Sequence, residues 1–130
     1  MKGFFVVLLV SMMFFGCSGK EDKAADDGAE VFVSHYSNGQ LEAKGQFVNG
    51  RMNGAWTAWY ENGQKQRVEN YLDDKFNNRK IEWYENGQLK EYAWYKEGKL
   101  HGRKTSWDES GKVISDIDYA EGKEVKVHVQ

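Results

Sequence analysis

A segment of 24 residues recurs along this chain without a gap. Tyr36 to Trp59 reads YSNGQLEAKGQFVNGRMNGAWTAW, Tyr60 to Trp83 reads YENGQKQRVENYLDDKFNNRKIEW, and Tyr84 to Trp107 reads YENGQLKEYAWYKEGKLHGRKTSW; Asp108 to Gln130 is a weaker fourth copy. Gly39, Gly63, Gly87 and Gly111 share one column, Phe47, Tyr71, Tyr95 and Tyr119 a second, and Trp59, Trp83 and Trp107 a third. A unit this short cannot bury an apolar face alone, so the period demands stacked supersecondary units rather than one enclosed globule.

Each unit reads as a hairpin. Val33, Thr57, Ile81, Thr105 and Val129 align, and His35, Trp59, Trp83 and Trp107 follow two residues later, which places both columns on one face of an extended strand. The segment then meets Asn38-Gly39, Asn62-Gly63, Asn86-Gly87 or Ser110-Gly111, a hairpin cue because Gly and Asn tolerate positive φ. The outgoing strand alternates through Leu41, Ala43, Gly45 and Phe47 in the first unit and Leu89, Glu91, Ala93 and Tyr95 in the third, which predicts one apolar and one charged face.

A second turn is expected at Asn49-Gly50, Asp73-Asp74, Glu97-Gly98 and Glu121-Gly122, after which Met52, Phe76 and Leu100 form an apolar column expected to fold under the hairpin. The predicted fold is all-β: an elongated antiparallel meander of stacked β-hairpins, about four 24-residue repeats, with strands at 31–36, 40–47, 55–60, 64–71, 79–84, 88–95, 103–108, 112–119 and 125–130. Trp83 is expected in its core, where truncation to Ala costs about 3–5 kcal/mol.

The residues before the repeats have another character. Met1 to Gly16 holds one Lys and a 12-residue apolar run, Phe4 to Phe15, too short to span a hydrocarbon core of about 30 Å, and reads as a secretory signal. Residues 17–30 are predicted to be a flexible acidic tether, since they offer no large apolar side chain to offset ordering entropy. From Val31 onward, acids and bases number fifteen each, so the 31–130 repeat domain has no long-range attraction for nucleic acid. Cys17 is the only cysteine, which excludes an internal disulfide.

Two resemblances sharpen this. Gly16-Cys17 at the end of the apolar run resembles the lipobox of bacterial lipoproteins, which implies an acylated Cys17 as the mature N-terminus. Two or more acyl chains, at about 0.8 kcal/mol per buried methylene, hold a domain on a bilayer. Ser18 in the next position implies, by the same resemblance, the outer membrane of a Gram-negative cell. YENGQLKEYAWYKEGKLHG and YENGQKQRVENYLDD resemble the variant MORN repeat of bacterial proteins over Tyr36 to about Lys123, with Lys65, Asp74 and Asn78 departing from the usual pattern in the second copy. Proteins of that family are similar to one another in lacking catalytic residues; some carry an antitoxin label, which a lipoprotein-type start argues against.

No cofactor is expected, and no catalytic constellation stands out. His35, His101 and His128 occupy different repeat columns, so a shared metal site is not expected; Asp73-Asp74 and Asp116 with Asp118 read as solvated surface. There is no nucleophile elbow, phosphate-binding glycine loop or HExxH. Three aromatics break the repeat: Trp56 stands in a column of Lys80, Lys104 and His128, while Tyr92 and Trp94 alternate with Ala93 and Tyr95. Rings off the packed face are platforms for a partner side chain or a sugar. The sequence therefore points to a non-enzymatic, membrane-anchored repeat module that contacts another protein or an envelope polymer through Trp56, Tyr92 and Trp94. The alternative is a carbohydrate or cell-wall binding repeat.

Overall fold

The computed structural model describes residues 28–129; the leader, Cys17 and most of the tether lie outside the described residues. The described chain forms one open antiparallel sheet of twelve strands. They are β1 (Ala29–His35), β2 (Leu41–Val48), β3 (Arg51–Met52), β4 (Gly54–Trp59), β5 (Lys65–Leu72), β6 (Lys75–Phe76), β7 (Asn78–Trp83), β8 (Leu89–Lys96), β9 (Lys99–Leu100), β10 (Gly102–Trp107), β11 (Val113–Ala120) and β12 (Lys123–Val129). The nine longer strands follow one another across the sheet, as expected, within two residues of their predicted limits.

The three additional strands correct one expectation. Met52, Phe76 and Leu100 do not fold under the hairpin; they lie in the sheet plane, opposite Phe47, Tyr71 and Tyr95. The turn before each short strand returns the chain beside the strand it has just left, so those side chains meet laterally.

The two turns of each repeat differ in kind. At Asn49-Gly50, Asp73-Asp74, Glu97-Gly98 and Glu121-Gly122 both residues have positive φ, the two-residue turn whose twist matches paired strands. At Asn38-Gly39, Asn62-Gly63, Asn86-Gly87 and Ser110-Gly111 only the glycine does: Gly39 has φ 85° and donates its N–H to Tyr36 O at 2.9 Å. The asparagine there serves through its side chain, with Asn38 Oδ1 accepting the Gln40 N–H at 2.9 Å and Asn62 and Asn86 doing the same for Gln64 and Gln88.

A bulge in every hairpin sets which face each side chain takes. Ser34 pairs with Ala43 but His35 with Leu41, and the register skips in the same way at Ala58/Trp59, Glu82/Trp83 and Ser106/Trp107. Alternation is thereby broken on the outgoing strand. Leu41 and Leu89 join His35 and Trp83 on one face, while Phe47 and Tyr95 lie on the other with Tyr71, which corrects the expectation of one apolar and one charged face. Trp59, Trp83 and Trp107 share a face with Thr57, Ile81 and Thr105, here called the tryptophan face; the opposite is the spine face.

Because no second layer is present among the described residues, neither face is a core in the usual sense. The buried apolar residues are Ala58, Ala93 and Ile117, and no large side chain is fully buried. Trp83 is half-buried, so the 3–5 kcal/mol expected for a central core residue does not apply to it. Consecutive hairpins are instead tied to one another by hydrogen bonds. The hydroxyls of Tyr36, Tyr60 and Tyr84 donate to the carbonyls of Trp59, Trp83 and Trp107 at 2.7, 2.8 and 2.9 Å. At the other end of the strands, the N–H groups of Asp74, Gly98 and Gly122 donate to Met52 O, Phe76 O and Leu100 O of the preceding unit.

The second repeat carries Asn78, with φ 80°, where the first and third carry Gly54 and Gly102. Left-handed backbone strains an L side chain, even Asn. Asn78→Gly relieves that strain but gives up the bond in which Asn78 Oδ1 accepts the Arg79 N–H at 2.9 Å, so it is expected to stabilise the fold by at most about 0.5 kcal/mol, a rise of no more than about 2–4 °C in a thermal melt. Asp74→Gly gains less, because the bond it loses, from the Met52 N–H to Asp74 Oδ1 at 2.8 Å, ties one repeat to the next, whereas that of Asn78 is local.

Candidate functional site

On the spine face the rings form a continuous stack. Phe32 lies on Trp56 at 5.3 Å between centroids, Phe47 meets Trp56 edge-on at 5.0 Å, and Trp56 meets Tyr71 at 6.4 Å. Tyr71 then stacks on Phe76 at 4.8 Å, and Phe76 tilts over Tyr95 at 5.0 Å. The Trp56 indole N–H donates to Gln46 O at 3.2 Å.

Trp56 is therefore not on the same surface as Tyr92 and Trp94. It is half-buried in the stack, and a Cβ built on Gly45 would come within 2.1 Å of its ring. The indole rests on the bare backbone of Gly45, which explains why the two depart from their columns together. Elsewhere those columns hold Glu69, Ala93 and Ile117 on one side and Lys80 and Lys104 on the other.

Where the lysines replace tryptophan, ion pairs replace rings. Lys80 Nζ lies 2.8 Å from Glu82 and 3.4 Å from Glu91, and Lys104 Nζ lies 3.0 Å from the second Glu91 oxygen. Burial works against the Lys80 charge, but the hydrogen bond and charge of Glu82, together with Glu91, outweigh it and raise the pKa. Beside them the Tyr71 hydroxyl donates to Glu69 at 3.1 Å; burial first, then the Glu69 carboxylate, push its phenol up to about 12. Rings stack and charges pair across the middle of this face, so it has few valences left for a partner.

The tryptophan face differs. Tyr92 pairs with Ile81 on one side and Thr105 on the other, and Trp94 pairs with Arg79. Trp94 is 41% exposed and lies beside Gly102, where a Cβ would meet that of Trp94 at an ordinary contact of 3.6 Å. Arg103 lies on the same face two residues before Thr105 and is held by Asp116, with Nε to Oδ1 at 2.7 Å and a second bond from its terminal nitrogen to Oδ2. Thr105 Oγ1 donates to the same carboxylate at 3.0 Å. Among the described residues, the Arg79 guanidinium has no ion-pair partner.

Asp116 corrects the reading of that carboxylate as solvated surface, since it is 7% exposed and occupies the column of Val68 and Tyr92. The Arg103 hydrogen bond holds its pKa down to about 2 against the cost of burial, with help from Thr105 and the guanidinium charge. Asp118 pairs with His128 at 2.8 Å, and His101 Nδ1 lies 3.8 Å from Glu121. Those two histidines sit at separate acids, and among the described residues no three His, Cys, Asp or Glu side chains form a metal-binding group. A shallow cleft of about 190 Å³ between Tyr60, Trp83 and Lys90 falls below the ~300–1,000 Å³ of a small-molecule pocket. The arginines were missed in sequence because each falls in a charged stretch; only the pairing across strands sets them beside Tyr92 and Trp94.

Four segments, 31–49, 52–73, 78–97 and 100–121, match the family described as MORN repeat variant, and together they span more than half of the chain. Among curated proteins, none matches it.

Two measurements test this geometry. Gly45→Ala forces Trp56 off its seat and is expected to cost about 1–3 kcal/mol in denaturant unfolding, with altered near-ultraviolet dichroism. Asp116 has a folded pKa below its unfolded value of about 4, so its contribution is complete above about pH 4 and is lost as pH falls toward 2. Asp116→Asn should lower stability at neutral pH and flatten the acid limb between those values in a pH series of unfolding curves.

Proposed function

Because this chain belongs to the MORN repeat variant family, whose repeats are generally associated with protein or membrane interactions, we propose that it is a non-enzymatic module that presents its tryptophan face to a protein partner. The observation that carries this reading is the exposed Trp94 beside Tyr92, flanked by Arg79 and Arg103 on a sheet face that nothing among the described residues covers. Trp, Tyr and Arg are the side chains that most often dominate binding energy at protein interfaces. The exposed Arg79 guanidinium, without an ion-pair partner among the described residues, favours an acidic partner segment whose carboxylates would pair with it. Trp56, grouped with these residues in the sequence reading, has a packing role.

A second reading, glycan binding, draws on the row of Trp59, Trp83 and Trp107. They stand on every second strand of the sheet path, about 10 Å apart, a regular series of rings for a linear polymer. Localisation follows from Cys17: acylated there, the domain would be held at the cell envelope, at the outer membrane of a Gram-negative cell.

Tyr92→Ala with Trp94→Ala is expected to abolish capture of the partner from envelope extracts while leaving the protein folded, as read by a cooperative melt. Trp56→Ala instead should cost about 2 kcal/mol of stability, below the ~3–5 of a fully buried ring. Capture that survives the double substitution in a folded protein would overturn the assignment of the face, and retention on purified cell-wall glycan would favour the second reading. Cys17→Ser is expected to remove incorporated palmitate and release the protein into the soluble fraction, as read by metabolic labelling and fractionation.

A further inference from the structure

Asn-Gly occurs five times, at Asn38, Asn49, Asn53, Asn62 and Asn86. In this dipeptide the glycine amide nitrogen can attack the asparagine side-chain carbonyl, because glycine offers no side chain to hinder the approach. The nitrogen gives its proton to solvent, the side-chain amide leaves as ammonia, and a five-membered imide closes. Water then opens the imide at either carbonyl to give aspartate or its β-linked isomer. The net change is water gained and ammonia lost, with no oxidant or reductant.

The fold restrains four of these sites. At Asn38, Asn62 and Asn86 the side-chain oxygen accepts the N–H two residues on, and the attacking nitrogens of Gly39, Gly63 and Gly87 are tied up as donors to Tyr36, Tyr60 and Tyr84. Asn62 and Asn86 are held again by their side-chain N–H groups, which donate to Glu85 O and Glu109 O of the next repeat. Asn53 is half-buried, donates to Asp73 at 3.3 Å, and precedes Gly54 in the β4–β5 ladder.

Asn49-Gly50 lacks these hydrogen bonds. Asn49 is exposed, as are Asn38, Asn62 and Asn86; its backbone N–H donates to Gly28 O and its side chain lies against Gly28, but among the described residues that side chain makes no hydrogen bond. The Gly50 N–H is likewise not a donor, and the space around Gly50 is open. The turn is closed by only two residue pairs, Val48 with Arg51 and Phe47 with Met52, so local opening involves little structure.

We propose that Asn49 is a self-modification site of the folded protein, converted through its imide with Gly50 to aspartate and isoaspartate while the other four Asn-Gly pairs are protected. The aspartate product would give the first repeat the turn acid that its successors already hold as Asp73, Glu97 and Glu121. The isoaspartate product lengthens a two-residue turn by one backbone carbon and misplaces the N–H that bonds Gly28.

The test incubates the full-length protein at mildly alkaline pH, folded and in denaturant, and follows each Asn-Gly peptide by mass spectrometry. Dividing folded by denatured rates removes the intrinsic reactivity of the dipeptide. The expected result is a ratio near unity for Asn49 and a reduction of roughly three- to tenfold or more at the other sites, the effect of one or two retained hydrogen bonds. Asn49→Gly should silence that peptide and leave the protein folded, since glycine accepts the positive φ of this turn position. Protection of Asn49 equal to the others, or faster conversion at any of them in the folded protein, would overturn the proposal.

Discussion

A sheet without a second layer must find its cohesion within its own plane. Here that cohesion runs between consecutive repeats: a tyrosine hydroxyl at one end of each hairpin donates to the tryptophan carbonyl of the next, and a turn N–H at the other end donates to the carbonyl of the short strand before it. Both bonds join groups one repeat apart, so each unit is stabilised mainly by its neighbours, the condition for a nearly one-dimensional array. The ring stack from Phe32 to Tyr95 adds lateral contact in the same direction. With only two small apolar residues and one isoleucine buried among the described residues, these lateral bonds carry what a two-layered domain obtains from its core.

The same logic shapes the last repeat. Asp108 stands in the tyrosine column. It turns inward instead, accepting the N–H groups of Ser110 and Lys112, and these bonds, led by that from the Ser110 hydroxyl, lower its pKa. A side chain that reaches across repeats has been replaced by one that satisfies its own turn.

Much of this was legible in the sequence. The period located every long strand and every turn, because turn chemistry and alternation are local and the repeat states them four times. What escaped was non-local. The bulge at Glu42, Gln66, Lys90 and Ile114 leaves no composition signature, since four different side chains occupy it, yet it decides that the tryptophans and the tyrosines of the second column face opposite ways. The seating of Trp56 was also hidden, although Gly45 and Trp56 break their columns within one repeat. Two departures that would lie opposite each other in a hairpin sheet are a better sign of packing than of a free surface.

The two faces then differ for a physical reason. On the spine face, Lys80 and Lys104 share Glu91, Lys80 also holds Glu82, and the rings occupy one another, so a partner would have to displace bonds already made. On the tryptophan face, Asp116 fixes Arg103 next to the Tyr92 column, while Trp94 and Arg79 stand on paired strands of the ladder. Side chains on a regular sheet lose less freedom on binding than side chains on a loop, which leaves more of the contact energy as affinity. The paired strands that join the hairpins therefore set the backbone positions from which the proposed contact residues project.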